Sequence, residues 1–416
     1  MILYNGKLMP SGEQSAAIER LREDIPQILA LGQPVRDWVV DACDRLAQRA
    51  ALGEYDEVAR PILEMAHISD DTFAYYISMF KRENLQRKIE TELGALSKVT
   101  SGFGAHRKLL PLGVLFHIAA GNVDALPAYS VVEGLLAGNI NILKLPSGDN
   151  GLSVLLMQEL IKAEPRLAPY IYVFDVPSTE VESMRRLASL ASAVVVWGGD
   201  EAVRAARNMA EPNTAVISWG HKLSFAYAGV DVTDDELELL AEEICNTNQL
   251  LCSSPQGIFY DSESEDEARE FAKRFLAILA KKSRELGEVG IGMRAKSALL
   301  LYNEVLCGNE NVYKSGGVSV IYYSDSELTL SYLYRNVYVK RLPKSKILST
   351  LWHKKGYLQT CAVLGFKEGR EEVCELLARC GLTHISRADA SRLRMGYAHD
   401  GAYPLALYTR IVDIDG

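Results

Sequence analysis

Residues 111–144 read PLGVLFHIAAGNVDALPAYSVVEGLLAGNINILK, and the fold is decided there. The two ends, 113–118 and 140–144, are short apolar runs of strand length, and the stretch between them, 128–136, has the length and composition of a helix. Strand, helix, strand is the crossover unit of a parallel sheet. The alternation continues toward the C-terminus, with strands expected at 171–176, 193–197 and 215–218 and helices at 152–162, 180–187 and 201–209. Such a run predicts an α/β chain with a doubly wound parallel sheet whose ligand lies at the carboxyl ends of the strands.

Toward the N-terminus the texture is helical. Ile18, Leu21, Ile25, Ile28 and Leu29 recur at three- and four-residue spacing, as do Trp38, Val39, Ala42 and Leu46. Residues 1–105 are therefore expected as a helical segment, part of or packed on the sheet-bearing domain at 106–220. Beyond Leu223 a second α/β unit begins, with an acidic helix at 234–244, a loop, an apolar strand at 257–260 and a long charged helix at 263–286, so 221–393 reads as a second domain. The tail, 394–416, is expected to return to the first domain or to touch a neighbouring subunit.

A chain of 416 residues, 48% hydrophobic and 24% charged, buries large cores, which excludes disorder and collagen-like structure. Its net charge of −9 offers no global positive field for nucleic acid or an anionic membrane. Residues 1–10 lack the basic start and apolar run of a secretory signal, and no stretch approaches the roughly 18 apolar residues of a membrane span. The cysteines, at 43, 245, 252, 307, 361, 374 and 380, are odd in number and form no CxxC pair. Neither a disulfide framework nor a zinc site is suggested, and a reducing cytoplasm is the natural setting. The histidines have no metal-ligand spacing, so no metal is expected.

Four places can carry chemistry. Cys252 lies in a polar loop of small residues, Asn-Thr-Asn-Gln-Leu-Leu-Cys-Ser-Ser-Pro over 246–255, which can expose a thiol; an arbitrary cytosolic cysteine is more often buried and inert. Asn122 follows a strand, where its amide can donate to a developing oxyanion or simply cap the next helix, the commoner use. Lys144 ends a strand before a turn containing Ser147, a place for a ribose or phosphate. Trp197-Gly198-Gly199-Asp200 is a strand–glycine–helix junction that lets a ligand approach the backbone. No GxGxxG or GxxxxGK[ST] pattern accompanies them.

In this order, from Pro111 to the C-terminus, the pieces resemble the aldehyde dehydrogenase superfamily and, within it, the LuxC-like acyl-CoA reductases. Asn122 is similar to the superfamily's oxyanion asparagine, and Gly138-Asn to Lys144-Leu-Pro-Ser147 to its ribose-holding GN-to-KPS segment. Gly198 and Gly199 stand at its phosphate-side turn, and Ser218-Trp-Gly220-His221-Lys222 stands at its E-L-G-G-K. Asn248-Gln249-Leu-Leu-Cys252 is similar to its nucleophile segment, and Gly396 to Pro404 to the closing segment of the LuxC-like branch. The resemblance implies a doubly wound cofactor domain plus an α/β catalytic domain, with Cys252 as nucleophile. His221, more often structural in a turn, would assist proton transfer to a departing thiolate.

Two departures carry information. Ser218 replaces the glutamate that activates water, so an acyl-enzyme would persist until a thiol or a hydride takes it. Ser147 replaces an acidic residue that would repel a 2′-phosphate, which implies NADPH, with NADH as the alternative because Asp149 is close by. The implied reaction is reduction of an acyl thioester, supplied by acyl-CoA or by an acyl-carrier or acyl-transfer protein, in a homo-oligomer. A CoA-acylating aldehyde dehydrogenase working oxidatively and a non-catalytic carrier-binding scaffold are the alternatives.

Overall fold

Seven short strands, most of them buried on both faces, organise the N-terminal part of the chain. The computed structural model describes residues 1–66, 68–97, 106–119, 125–287, 289–388 and 396–415. They divide into two compact units, 1–220 with 395–416, and 221–394. The first unit begins with β1 (Ile2–Tyr4), β2 (Lys7–Met9) and five helices, α1 (Gln14–Leu31), α2 (Arg36–Ala51), α3 (Asp56–Met65), α4 (Asp70–Ser78) and α5 (Arg82–Ser97). There follow β3 (His106–Pro111), β4 (Val114–Ile118), α6 (Leu126–Leu136), β5 (Ile140–Lys144), α7 (Leu152–Ala163), β6 (Ile171–Phe174), α8 (Val181–Ser189), β7 (Ala193–Trp197), α9 (Asp200–Met209) and β8 (Ala215–Trp219).

The sheet of this unit runs β2-β1-β6-β5-β4-β7-β8. Strands β4 to β8 are parallel and wind outward from β4 in both directions, the doubly wound pattern. Every residue of β5 and β7 is buried; β7 is accordingly a continuous apolar run, Ala-Val-Val-Val-Trp, whereas β5 carries the buried polar residues Asn141 and Lys144. Helix α6 is buried from Pro127 through Leu136. The segment 1–105, expected to be helical, begins instead with a hairpin: Asn5 and Gly6 both have left-handed φ, 46° and 76°, the two-residue turn that Asn-Gly favours. Through Leu3 opposite Val173, β1 extends the sheet beyond β6.

The second unit contains β9 (Leu223–Ala228), α10 (Asp234–Thr247), β10 (Pro255–Tyr260), α11 (Glu265–Glu285), α12 (Ile291–Leu306), β11 (Val312–Ser315), β12 (Val318–Tyr323), β13 (Asn336–Arg341), α13 (Ile347–Leu351), β14 (Leu358–Leu364), α14 (Arg370–Arg379) and β15 (His384–Ser386). Its sheet runs β11-β12-β13-β10-β9-β14-β15, parallel except for the edge strand β11. The chain then closes in the first unit with α15 (Pro404–Leu407) and β16 (Thr409–Ile414), which pairs antiparallel along β3.

A buried polar knot fixes the centre of the first unit. The Asn139 side chain accepts from Gly113 N–H at 2.9 Å and donates to the Tyr408 carbonyl at 3.0 Å, tying β4 and the returning tail to the turn before β5. Asn141 donates through Nδ2 to the Asn139 carbonyl, which leaves its Oδ1 to accept from His117 Nε2 at 3.0 Å. His117 Nδ1 therefore accepts from the Ser130 hydroxyl at 2.8 Å, and Ser130 in turn accepts from Trp197 Nε1. A β-carbon at Gly134 would lie 1.7 Å from Asn141 Oδ1, so the helix approaches the sheet closely only because that residue is glycine.

His117 is wholly buried, and burial holds its pKa down to about 4. The unfolded chain takes up a proton below about 6.5 whereas the folded chain resists it until about 4, so this residue removes stability as pH falls through that window. The loss between pH 7.5 and pH 5 is about 2 kcal/mol. His117→Gln, which retains a donor and an acceptor, is expected to make the fall in unfolding free energy between those two pH values smaller by about that amount, read from urea unfolding.

Candidate active site

Helix α10 opens with a capping box, Thr233 and Glu236 exchanging hydrogen bonds, and ends where Asn248 takes a left-handed conformation. Gln249 is left-handed as well, with φ 62°. Two successive non-glycine residues in that region turn the chain sharply out of the helix. Three residues after Gln249, Cys252 is exposed, whereas Gln249, Ser253 and Ser254 are buried. The loop is thus anchored by its neighbours and presents its sulfur.

The anchors come from two irregularities in the sheet. On either side of β9 the pairing shifts register at the amino end, between Pro255 and Ile258 of β10 and between Leu358 and Cys361 of β14. Each neighbour carries one residue more than the stretch of β9 it faces, which is a bulge, and bulges re-aim side chains. Thr360 N–H donates to the Ser224 hydroxyl at 3.1 Å instead of to a ladder carbonyl, and Ser224 donates to the Cys252 carbonyl at 2.6 Å. Gln256, in the β10 bulge, donates to the carbonyls of Gln249 and Ser254. Gln359, in the β14 bulge, donates through Nε2 to Cys252 Sγ at 3.4 Å.

A third support lies behind the loop. Leu333, Tyr334 and Arg335 all have positive φ. This bend lets Tyr334 N–H reach the Asn248 carbonyl at 3.0 Å. The buried Arg335 guanidinium donates to Asn248 Oδ1 at 3.1 Å, to Ser283 Oγ at 2.6 Å and to the carbonyls of Gly287 and Cys245. The left-handed conformations cost of order 1–3 kcal/mol each, and charge-assisted hydrogen bonds of this kind offset them.

In the first unit, the carboxyl edge of the sheet gathers the other residues singled out in the sequence. Lys144 ends β5, is 3% exposed and donates to Ser178 Oγ at 3.0 Å. Burial holds its pKa below the ordinary lysine value, against the pull of Asp175. Ser147 is exposed in the turn that follows, where Asp149 accepts from Gly151 N–H and the Ser153 hydroxyl at the start of α7. Trp197 and Trp219, register partners at the ends of β7 and β8, pack on each other with centroids 5.4 Å apart, and His399 lies against both rings.

Gly198 is required by packing, since a β-carbon there would sit 2.9 Å from Ala202; Gly199, at the uncapped start of α9, has open space beside it among the described residues. Gly220 follows β8, with Val203 alone among the described residues near the place of a β-carbon. A buried strand-end ammonium, an open glycine turn and an uncapped helix start suit the ribose and phosphates of a dinucleotide, although Asp200 and Glu201 in the first turn of α9 weaken its field. The residues present fit such a group.

Asn122 lies outside the described residues. His221 is exposed at the first position of the second unit. Ser224, Gln256, Gln359, Arg335, Ser178 and His399 were not singled out in the sequence. The signal for Gln359 was a polar Gln-Thr pair inside an otherwise apolar strand sequence; the others gave none. Among the described residues no group of three or more His, Cys, Asp or Glu side chains could hold a metal ion, and no helix is long and apolar enough to cross a membrane.

The family model described as "Acyl-CoA reductase (LuxC)" matches residues 32–411. The long-chain acyl-protein thioester reductase of Aliivibrio fischeri is 26% identical over 316 residues, covering 73% of this chain and 64% of that protein. Long-chain acyl-protein thioester reductase 2 of Photobacterium leiognathi is 26% identical over 313 residues, covering 72% and 63%. The chain thus spans less than two thirds of the length of these two relatives. Lactaldehyde dehydrogenase from Escherichia coli superposes with a TM-score of 0.71 at 13% identity, over 98% of this chain and 92% of that one, and so shares the fold.

The thiols differ in accessibility, which can be measured. Burial raises the pKa of Cys43, Cys245, Cys361 and Cys380, while Cys252 and Cys307 are exposed. Brief iodoacetamide treatment of the native protein, followed by peptide mapping, is expected to label Cys252 and Cys307, with those four buried thiols reacting about 100-fold more slowly until the protein is unfolded.

Proposed function

The chain belongs to the LuxC family of acyl-CoA reductases, and from that premise we propose that it reduces an acyl thioester to the aldehyde through an acyl-enzyme on Cys252. The observation that carries this reading is the setting of Cys252: an exposed thiol whose sulfur is touched by one buried amide and whose carbonyl is held by one buried hydroxyl. A nucleophile needs access and fixed donors together.

The Cys252 thiolate attacks the carbonyl carbon of the donor thioester, a new carbon–sulfur bond forms, and the donor's own carbon–sulfur bond breaks with the pair leaving on its sulfur. Asn122 Nδ2 and the Cys252 N–H hold the oxyanion, and His221 gives the departing thiolate a proton. Ser218, in place of a carboxylate, leaves water without a base, so the enzyme thioester survives. A reduced nicotinamide nucleotide, when bound, supplies the hydride that converts this thioester to aldehyde. Lys144 and Ser147 would hold its ribose, and Gly198, Gly199 and Gly220 would let its phosphates approach the backbone. NADPH is the proposed form: Ser147 brings no charge against a 2′-phosphate, and the Asp149 carboxylate is engaged at the start of α7.

The relatives' names supply the donor class, an acyl group carried on a protein, with fatty acyl-CoA as the simpler form. A cytoplasmic homo-oligomer completes the proposal, the net charge of −9 giving it no general attraction to nucleic acid.

The test is intact-mass spectrometry after incubation with palmitoyl-CoA and no nicotinamide. One acyl adduct is expected on the wild type and none on Cys252→Ser, while NADPH discharges the adduct as aldehyde. Asn122→Ala is expected to lower turnover roughly 10²- to 10³-fold. An adduct that persists on Cys252→Ser, or rapid formation of free acid from aldehyde without CoA, would overturn the reading.

A further inference from the structure

We propose that Gln359 is a catalytic residue whose side-chain amide stabilises the Cys252 thiolate twice, as the attacking group and again as the leaving group; this rests on the reading of Cys252 as the nucleophile. Gln359 Nε2 donates to Cys252 Sγ at 3.4 Å, within the range of a hydrogen bond to sulfur, from a side chain 1% exposed. The amide is aimed there by backbone held on both sides. Gln359's carbonyl accepts from Thr383 N–H at 3.1 Å and from the Thr383 hydroxyl at 3.2 Å, while the next N–H, Thr360's, is held by Ser224. The donor is thus fixed before any substrate arrives, the condition under which it favours charge without reorganising.

A carboxamide does not titrate in the physiological range, so it cannot take the thiol proton; it can only make the anion cheaper to form. A thioester sulfur is a poorer acceptor than a thiolate, so the hydrogen bond is strongest at the two ends of the cycle. In the first step a Cys252 lone pair becomes the bond to the acyl carbon and the donor thiolate departs with its own pair. In the second, a hydride from the reduced nicotinamide nucleotide adds to the acyl carbon, the Cys252–carbon bond breaks, its pair stays on Sγ, and the carbonyl closes as aldehyde. Gln359 meets negative charge on Sγ in both, so it raises the share of thiolate available before attack and favours its departure in the second step.

The rate of Cys252 alkylation by iodoacetamide, followed against pH by peptide mapping, reads the thiolate directly. Gln359→Met, which keeps the length of the side chain and removes the donor, is expected to raise the pH midpoint by about one unit, with an approximately tenfold lower rate below it. Gln359→Glu, the same size but anionic, is expected to raise it further. Loss of packing alone would lower the thermal midpoint and leave the pH midpoint in place. A midpoint within about 0.3 unit of the wild type in either folded variant overturns the proposal; should the methionine variant not fold, the glutamate variant decides. If the wild type still acylates at Cys252 while the midpoint is unmoved, only the role of Gln359 fails. If the wild type forms no adduct at Cys252, both readings fail.

Discussion

The extra residue on each strand beside β9 is the constraint on which the second unit depends. Inside a parallel sheet an odd residue breaks the ladder, and a backbone group left without a partner in a dry place costs about 1–3 kcal/mol. The displaced groups therefore need substitutes, and the side chains that provide them also hold the loop of Cys252. Ser224 accepts from the displaced Thr360 N–H and donates its own O–H to the Cys252 carbonyl. The glutamine of each bulge points into the same loop, Gln256 to its backbone and Gln359 to its sulfur. What would be a defect in the ladder becomes the support of the site.

This places the loop at the amino ends of β9, β10 and β14, opposite to the usual position of a ligand in a doubly wound sheet. In the first unit Lys144, Trp197 and Trp219 stand at carboxyl ends, the position that rule favours. The difference has a local cause. In the second unit the chain leaves α10 through two left-handed residues and must enter β10 directly, so the connection that presents Cys252 precedes the strand. Gly257 is needed for that passage, because a β-carbon on it would lie 2.1 Å from the buried Tyr338 ring.

Much of the fold was legible because burial on both faces leaves an unmistakable trace. The strands expected at 140–144 and 193–197 form with those limits, and the other three of that run differ by two residues or fewer at either end. The second unit's buried strands β9, β12, β13 and β14 were not drawn from the sequence, and in the first unit the strands not expected were those with a weak apolar signature. The hairpin of β1 and β2 is only three residues a side, though Asn5-Gly6 was a turn signal. The ribbon of β3 and β16 is half exposed, rich in charge, and pairs His106 with Ile414, a partner no local pattern can indicate. For the site, the small polar residues around Cys252 announced an exposed loop. Which groups meet its sulfur was not readable, because side-chain direction in a strand follows a period of two, and a single inserted residue reverses it.

That reversal gives the bulge at Gln359 its meaning. In an unbroken β14, alternation from Cys361, which faces one of the two apolar clusters flanking the strand, would send Thr360 to the other and bring Gln359 back to the first. A carboxamide there would be turned away from the Cys252 loop and would be costly to bury among apolar side chains. The register shift between Leu358 and Cys361 turns Gln359 toward the loop while Cys361 stays in the core, so apolar burial and a polar contact to Cys252 are met by adjacent stretches of one strand. The β10 bulge solves the same problem for Gln256, between the buried Pro255 and Ile258. Two strands with separate sequences thus support one loop, Gln256 through its backbone and Gln359 through its sulfur, and the common cause is β9, whose short buried run with Ser224 at its start leaves an acceptor and a donor where both neighbours are out of step.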